Sequence, residues 1–532
     1  MSQTTRMMFG DLRHAGDLLA RNARTYRNEI GLVDGPQRFS WNGLDRRANQ
    51  FGHALRAAGI RQGETIAIYA QNCYEYVEAL FGAAKVGVAV ATVNYRLVER
   101  EVDYVLGDSS AAALVFDPSY SNIVDSIRRR RPKLRRLISM GSHPPSFAEQ
   151  YEKFLAPHAT IEPEPERPIQ DEAPLLIIYT SGTTGAPKGG VWWHKGTIAN
   201  MGTFAHAIGI RYGMKLILPA PLYATAGASM ILATVFVGAT GVLVNFDARR
   251  VLELIPHERA DYINLVPATI NFCLNIPRFR DYDLSSLKTI LYAGSVMPVP
   301  LLRRALQEFP CGFRQVFGMT ETCAAGTVLE PWEHVLEGDP KWTRRLASCG
   351  RASPNVKVRV VNERDADVAP NGEVGEMIVY SEGNIRGYLN RPEASADTIR
   401  DGWVYTGDCG WVDEDGFIYI TDRKSDMIVS GALNIYPAEI ENVLAEHPAV
   451  LENAVIGVPD ETWGEAVKAI VVLRPGMEVK PEEIVEFCKP RLAPFKKPRS
   501  VEFADKLPRN MSGKVLKRVL REKYWQGRER KV

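Results

Sequence analysis

The sequence predicts an α/β protein: a large N-terminal domain of layered, mainly parallel sheets closing with a small β unit, then a separate compact α+β domain. Three observations carry this. Through the first part of the chain, short apolar runs of strand length alternate with helical stripes, the order that builds parallel strands with helical crossovers. From residue 356 the pattern changes to apolar–basic alternation, the period of strands with one wet face. The last hundred or so residues read as a self-contained mixture of helices and strands. A chain of 532 residues exceeds a single core, so two domains are expected, at 1–421 and 422–532.

In chain order, Leu44, Ala48, Phe51 and Leu55 form a helical stripe, followed by a strand at Thr65-Ile66-Ala67-Ile68-Tyr69. A helix near 74–86 and strands at Val88-Ala89-Val90-Ala91-Thr92 and Ala113-Leu114-Val115-Phe116 come next. Residues 143–173, rich in proline and glutamate, read as an exposed connection. Leu175-Leu176-Ile177-Ile178 is a strand at whose end a Ser/Thr/Gly loop should project from a sheet edge, and Trp192 and Trp193 face opposite ways on a further strand, as core residues. Residues 216–246 carry no charge, enough length to span a membrane. Pro219, Pro221, Gly227, Gly238 and Gly241 divide that stretch into a loop, a buried helix near 229–236 and a strand at Val242-Leu243-Val244.

Strands at Asn264-Leu265-Val266 and Thr289-Ile290-Leu291-Tyr292 continue the alternation. Val356-Lys357-Val358-Arg359-Val360 then opens the β unit, with a turn at Gly372-Glu373-Val374-Gly375-Glu376 and an end near Thr421. In the last domain a helix starts at Pro437, a favoured first helical position, and strands at 469–473 and 501–503 flank a helix at 481–488.

Net charge is +2, with 65 basic and 63 acidic residues, so neither nucleic acid nor an acidic membrane is expected as the main partner. The run Arg128-Arg129-Arg130-Arg131 reads as a solvated helix end. Seven scattered cysteines without CxxC or His/Cys metal spacing point to a reducing, cytoplasmic setting. No targeting signal is expected at either end: acids Asp11 and Asp17 argue against a transit peptide, and the tail Arg530-Lys531-Val532 matches neither an ER-retention nor a peroxisomal signal.

The most informative segment is Tyr179-Thr180-Ser181-Gly182-Thr183-Thr184-Gly185-Ala186-Pro187-Lys188-Gly189. Hydroxyls and glycine amides can donate together to phosphate oxygens, and Lys188 adds charge. It is not the loop of P-loop nucleotidases. Only Thr183 and Thr184 separate Gly182 from Gly185, Pro187 precedes the lysine, and Gly189 stands where a magnesium-binding hydroxyl should follow.

Further segments complete a pattern: Tyr292-Ala293-Gly294-Ser295, Phe317-Gly318-Met319-Thr320-Glu321, Tyr405-Thr406-Gly407-Asp408, Asp422-Arg423-Lys424-Ser425-Asp426 and Leu507-Pro508-Arg509-Asn510-Met511-Ser512-Gly513-Lys514. Taken with the loop, they cover most of the chain and resemble, in order, the motifs of the adenylate-forming superfamily of acyl-CoA synthetases, peptide-synthetase adenylation domains and beetle luciferases. The resemblance implies an ATP- and Mg²⁺-dependent carboxylic acid:CoA ligase with a small mobile C-terminal lid. It implies that Thr180 to Lys188 hold the β/γ-phosphates and that Glu321 and Thr184 serve the metal. It further implies that Thr320 touches the α-phosphate, and that Phe317 stacks on adenine against Gly294 and Ser295, with Gly318 and Met319 alongside. Asp408 and Arg423 would contact ribose, and Lys514 would neutralise the transition-state phosphate.

Ser425 stands at the hinge, where relatives carry Asp or Lys, and Ser430, Gly431 and Ala432 would line the coenzyme A tunnel, with Ala432 replacing a frequent glycine. Lys496, Lys497 and Arg499 either hold coenzyme A phosphates or solvate a loop. The acid pocket would draw on Tyr223, Ala224, Gly227, Val316 and Ala324. Its segments, 223–234, 292–297 and 316–326, contain no Arg, Lys or Asp, which favours an apolar aliphatic or aromatic acid over a dicarboxylate or amino acid. Ala224 replaces a histidine frequent in relatives and should add room. Alternatives are transfer of the acyl group to a carrier protein, a luciferase-like oxygenase, and a non-enzymatic nucleotide-binding regulator. The acid and the oligomeric state, a homodimer included, stay open.

Overall fold

The computed structural model describes residues 12–180, 187–370, 372–423, 426–430, 433–509 and 515–526. Two large sheets form the body. In the first, the strands run in the order Glu149–Gln150, Arg136–Ser139, Ala113–Phe116, Thr65–Tyr69, Ala89–Thr92, Pro174–Thr180 and Lys188–Trp193. All pairs are parallel except the last. The second sheet has a parallel core of Gly312–Phe317, Thr289–Tyr292, Tyr262–Leu265, Lys215–Leu218, Thr240–Leu243 and Ile30–Asp34, with antiparallel strands at both edges.

One core joins the two sheets. Ile66, Val90 and Leu176 of the first and Leu216, Leu218 and Leu291 of the second belong to the same buried cluster, together with Phe81 and Met230 from helices Tyr74–Lys85 and Thr225–Val237. The latter helix has no polar face because it is enclosed on most sides. That enclosure accounts for the uncharged stretch around it; no helix among the described residues is long and apolar enough to cross a membrane.

A small antiparallel sheet follows, built from Lys357–Val361, Gly375–Tyr380, Trp403–Val412, Ile399–Arg400 and Ile418–Arg423. The last of these strands stays paired as far as Arg423, two residues beyond the expected end of the β unit. The C-terminal unit has its own sheet and its own core, centred on Ile428, Ile440, Val455, Val471 and Ile484. Its helices Pro437–Ala445 and Pro481–Cys488 start at the prolines that foretold them.

One expectation is corrected. Residues 143–173 are not simply an exposed connection: Tyr151–Leu155 is a helix with Tyr151, Phe154 and Leu155 buried. Tyr151 stacks on Phe51 at 5.8 Å and its hydroxyl donates to Glu78 at 3.2 Å, so aromatic packing overrides a polar composition. The arginine run is paired: Arg128 with Asp125, Arg130 with Glu99 and Arg131 with Asp103.

Candidate active site

Strand ends from the second large sheet and the small sheet, with residues of the C-terminal unit, converge on a cavity of about 430 Å³. In doubly wound sheets such crevices lie beyond the carboxyl ends of the strands. Gly294, Ser295, Phe317, Gly318, Met319 and Asp408 line this one. Gly294 has φ +84°, a conformation side-chain-bearing residues resist, just past Thr289–Tyr292. Asp408 follows Gly407, at φ +71°, and its N–H donates to the Thr406 hydroxyl at 3.1 Å. Antiparallel pairing sets Arg423 opposite Asp408; the Arg423 side chain lies outside the described residues. Val316, expected in the acid pocket, also lines this cavity.

Beside the cavity, Thr320 and Glu321 are buried and held from three directions. The Thr320 hydroxyl lies 2.5 Å from that of Thr225, the first residue of the helix Thr225–Val237. The Trp192 indole N–H donates to the Thr320 carbonyl at 2.8 Å, so this core tryptophan also fixes the loop. The Tyr388 hydroxyl donates to Glu321 Oε1 at 2.6 Å, and the centre of the same ring lies 5.3 Å from the Lys188 ammonium. Tyr388 thereby links the two charged groups of the site, a role the sequence did not reveal.

The strand pair Pro174–Thr180 and Lys188–Trp193 sets Thr180 opposite Lys188. Ser181, Gly182, Thr183, Thr184 and Gly185 lie outside the described residues, as do Ser425, Gly431, Ala432 and Lys514. Ser430 ends the strand Ile428–Ser430, paired with Leu433 and Gly464. Lys496 is held by Glu439 at 2.7 Å, and Arg499 lies 3.9 Å from Asp460. Val515, next to Lys514, lines the same cavity as Phe317 and Asp408.

A buried amide supports the loop from behind. Asn200 Nδ2 donates to the Thr322 carbonyl at 2.9 Å and to the Ser381 hydroxyl at 3.1 Å. Gly383 makes room for it, since a Cβ there would lie 2.3 Å from the Asn200 side chain. His334 bonds the Tyr292 hydroxyl at 2.9 Å, and burial pulls its pKa down to about 4, which keeps the ring neutral behind the strand end.

On the acid side, Tyr223 is buried, edge-on to Tyr95 at 5.5 Å, and its carbonyl accepts from the Thr92 hydroxyl at 2.8 Å. Burial raises the Tyr223 phenol pKa, and its hydroxyl has no hydrogen-bond partner among the described residues. Ala224 is the N-cap of the helix Thr225–Val237 and supplies no side-chain cap. At Gly227 a Cβ would meet the Pro221 carbonyl oxygen at 2.1 Å, so its missing side chain serves helix–loop contact. Ala324 likewise turns its backbone toward Gly318, at φ +66°.

The chain belongs to the AMP-binding enzyme family, whose model matches residues 19–389; the model of the AMP-binding enzyme C-terminal domain matches residues 439–514. It is 35% identical to a fatty acid–[acyl-carrier-protein] ligase of Streptomyces coeruleorubidus, over 92% of each chain. It is 36% identical to a long-chain-fatty-acid–CoA ligase of Mycobacterium tuberculosis, over 92% of this chain and 93% of that one. Among solved structures, an anthranilate CoA ligase in complex with anthranoyl-AMP superposes with a TM-score of 0.90 at 28% identity, covering 97% of this chain and 99% of that one.

Proposed function

We propose that this AMP-forming acid:CoA ligase activates an apolar carboxylic acid at the cavity between its two domains, using opposite faces of the C-terminal unit for two successive steps. The carboxylate attacks the α-phosphorus of ATP in line and pyrophosphate leaves. The coenzyme A thiol then attacks the acyl carbonyl of the adenylate and AMP leaves. The observation that carries this reading is that Val515, adjacent to Lys514, shares a cavity with Phe317, Gly294 and Asp408. Its chain neighbour on that wall supports the reading in which Lys514 meets the transition-state charge.

In this reading Phe317 covers adenine against Gly294 and Ser295, Asp408 and Arg423 accept and donate to ribose hydroxyls, and Thr320 turns its hydroxyl from Thr225 to the α-phosphate. Lys188 and the 180–185 segment take the outer phosphates. Glu321 and Thr184 are all-oxygen donors of the kind Mg²⁺ prefers, and the buried Glu321 carboxylate beside the Thr320 hydroxyl fits such an ion. When bound, the ion supplies neutralisation of phosphate charge. Ser425 is the hinge, and Ser430, Gly431 and Ala432 border the path of the thiol.

Tyr388→Phe removes the donor to Glu321 and keeps the ring facing Lys188. Loss of a hydrogen bond to a charged group costs about 1.5–3 kcal/mol, so acyl-adenylate formation should slow by roughly 10- to 150-fold while the thermal midpoint falls by only a few degrees. Pyrophosphate exchange and a melting curve measure the two. An unchanged exchange rate removes Tyr388 from the site's machinery.

The acid is tested with a homologous series of aliphatic acids and a set of hydroxylated aromatic acids, scored for AMP release with coenzyme A, with an acyl-carrier protein and with neither. Each added methylene should contribute up to about 0.8 kcal/mol until the cavity is full, and Ala224→Trp should shift preference toward smaller acids without changing the KM for ATP. A preference for dicarboxylates or amino acids overturns the assignment. The Tyr223 hydroxyl, without a partner among the described residues, favours a second reading, an aromatic acid with its own polar substituent, which the aromatic set reads directly.

A further inference from the structure

The terminal helix Lys517–Trp525 carries two cations four residues apart, and both grip carboxylates that flank the hinge. Lys517 Nζ lies 3.2 Å from Asp422 Oδ2 and 2.9 Å from Glu441 Oε1. Arg521 lies 2.7 Å from Asp426. Asp422 belongs to the strand Ile418–Arg423, which pairs with Trp403–Val412 of the large domain. Glu441 belongs to helix Pro437–Ala445 of the C-terminal unit, where it also accepts from the Val455 N–H at 2.7 Å. Lys517 is therefore shared between a carboxylate on each side of the hinge.

The same helix is fixed to its own domain. Leu520 and Tyr524 pack on Ala454, Ile456 and Leu507, and the Trp525 indole donates to the Gly457 carbonyl at 3.0 Å. The segment that carries Lys514 is closed at its base by a bridge between Arg509 and Val515 and by the Leu516 N–H donating to the Pro508 carbonyl at 2.8 Å. The helix is thus part of the lid, and the Lys517 to Asp422 pair is a contact that a turn about the hinge must break. A buried ammonium left without a partner is strongly unfavourable. Glu441 travels with Lys517 and prevents that.

We propose that Lys517 is a positioning residue for acyl-adenylate formation: its ion pair with Asp422 spans the hinge and holds the lid in the orientation that delivers Lys514, while Glu441 keeps the lysine paired after release. This rests on the two-faced lid of the preceding section. Arg521 and Asp426 fasten the helix to the lid side of the hinge and are kept in both orientations.

The test uses the full-length enzyme with the two half-reactions assayed separately. Lys517→Met and Asp422→Asn should each lower kcat for acyl-adenylate formation at least about tenfold, leave the KM for ATP within twofold, and leave thioester formation from supplied acyl-adenylate unchanged or faster. The double variant should be no slower than the slower single one, Lys517→Arg should restore most of the rate, and trypsin should cleave after Arg423 or Lys424 faster in the two single variants. Equal loss in both half-reactions, or a raised KM for ATP with kcat unchanged, overturns the latch. An identical kinetic profile for Glu441→Gln, which touches only the lid side, overturns it too. A wild-type enzyme that forms no acyl-adenylate overturns instead the functional reading on which the latch rests.

Discussion

Lys514→Ala is expected to abolish acyl-adenylate formation while leaving thioester formation from supplied acyl-adenylate close to wild type. Charge on the α-phosphate grows as the carboxylate attacks, and a preorganised cation at a developing charge is worth about 3–4 kcal/mol, or roughly 150- to 850-fold in rate. Lys514 follows Ser512-Gly513 and precedes Val515, which lines the cavity beside Phe317 and Asp408, so in the proposed reading its loss removes charge from the adenylation face alone. On the proposed two-faced lid, the second step uses the other face, bordered by Ser430, and does not call on the lysine. Pyrophosphate exchange and single-turnover thioester formation separate the two. Equal loss in both would mean that one fixed face serves both steps and would overturn the two-faced lid.

Local signals carried most of the fold. The strand Thr65–Tyr69 and the helix Pro481–Cys488 match their sequence expectations residue for residue because apolar period, breakers and a first-turn proline all agree there. The cavity wall was legible for a different reason. Gly294, Phe317 and Asp408 stand in turn-rich segments whose order along the chain carried the resemblance. What was not legible lies in contacts between distant residues. Tyr388 is 67 positions from Glu321, and nothing in Arg386-Gly387-Tyr388 announces a bond to that carboxylate. Thr225 and Trp192 are likewise 95 and 128 positions from Thr320. Gly227 is a further case: nothing in the sequence near it announces the close approach of the Pro221 carbonyl that its missing side chain allows.

Gly318→Ala is expected to damage both stability and adenylation although it adds one methyl group. Gly318 follows the strand Gly312–Phe317 and opens the turn that carries Thr320 and Glu321. A Cβ at 318 would lie 2.1 Å from the Ala324 carbonyl oxygen and 2.5 Å from its carbon, and backbone cannot move aside as a side-chain tip can. The turn has little freedom to yield. Cys323 and Ala324 already hold φ of +50° and +66°, each costing about 1–2 kcal/mol, and the Ala324 N–H donates to the Met319 carbonyl at 3.0 Å. Overpacking of this kind costs about 1–3 kcal/mol, and a shift of about 1 Å in Thr320 or Glu321 should slow adenylation by roughly 100-fold. Gly312→Ala, at the other end of the same strand, is the control: its Cβ would meet nothing nearer than Pro331 at 3.4 Å, an ordinary contact. Thermal unfolding and pyrophosphate exchange on both variants measure the difference. A Gly318→Ala enzyme with the melting temperature and exchange rate of Gly312→Ala would show that the close approach of 318 to 324 does not shape the site.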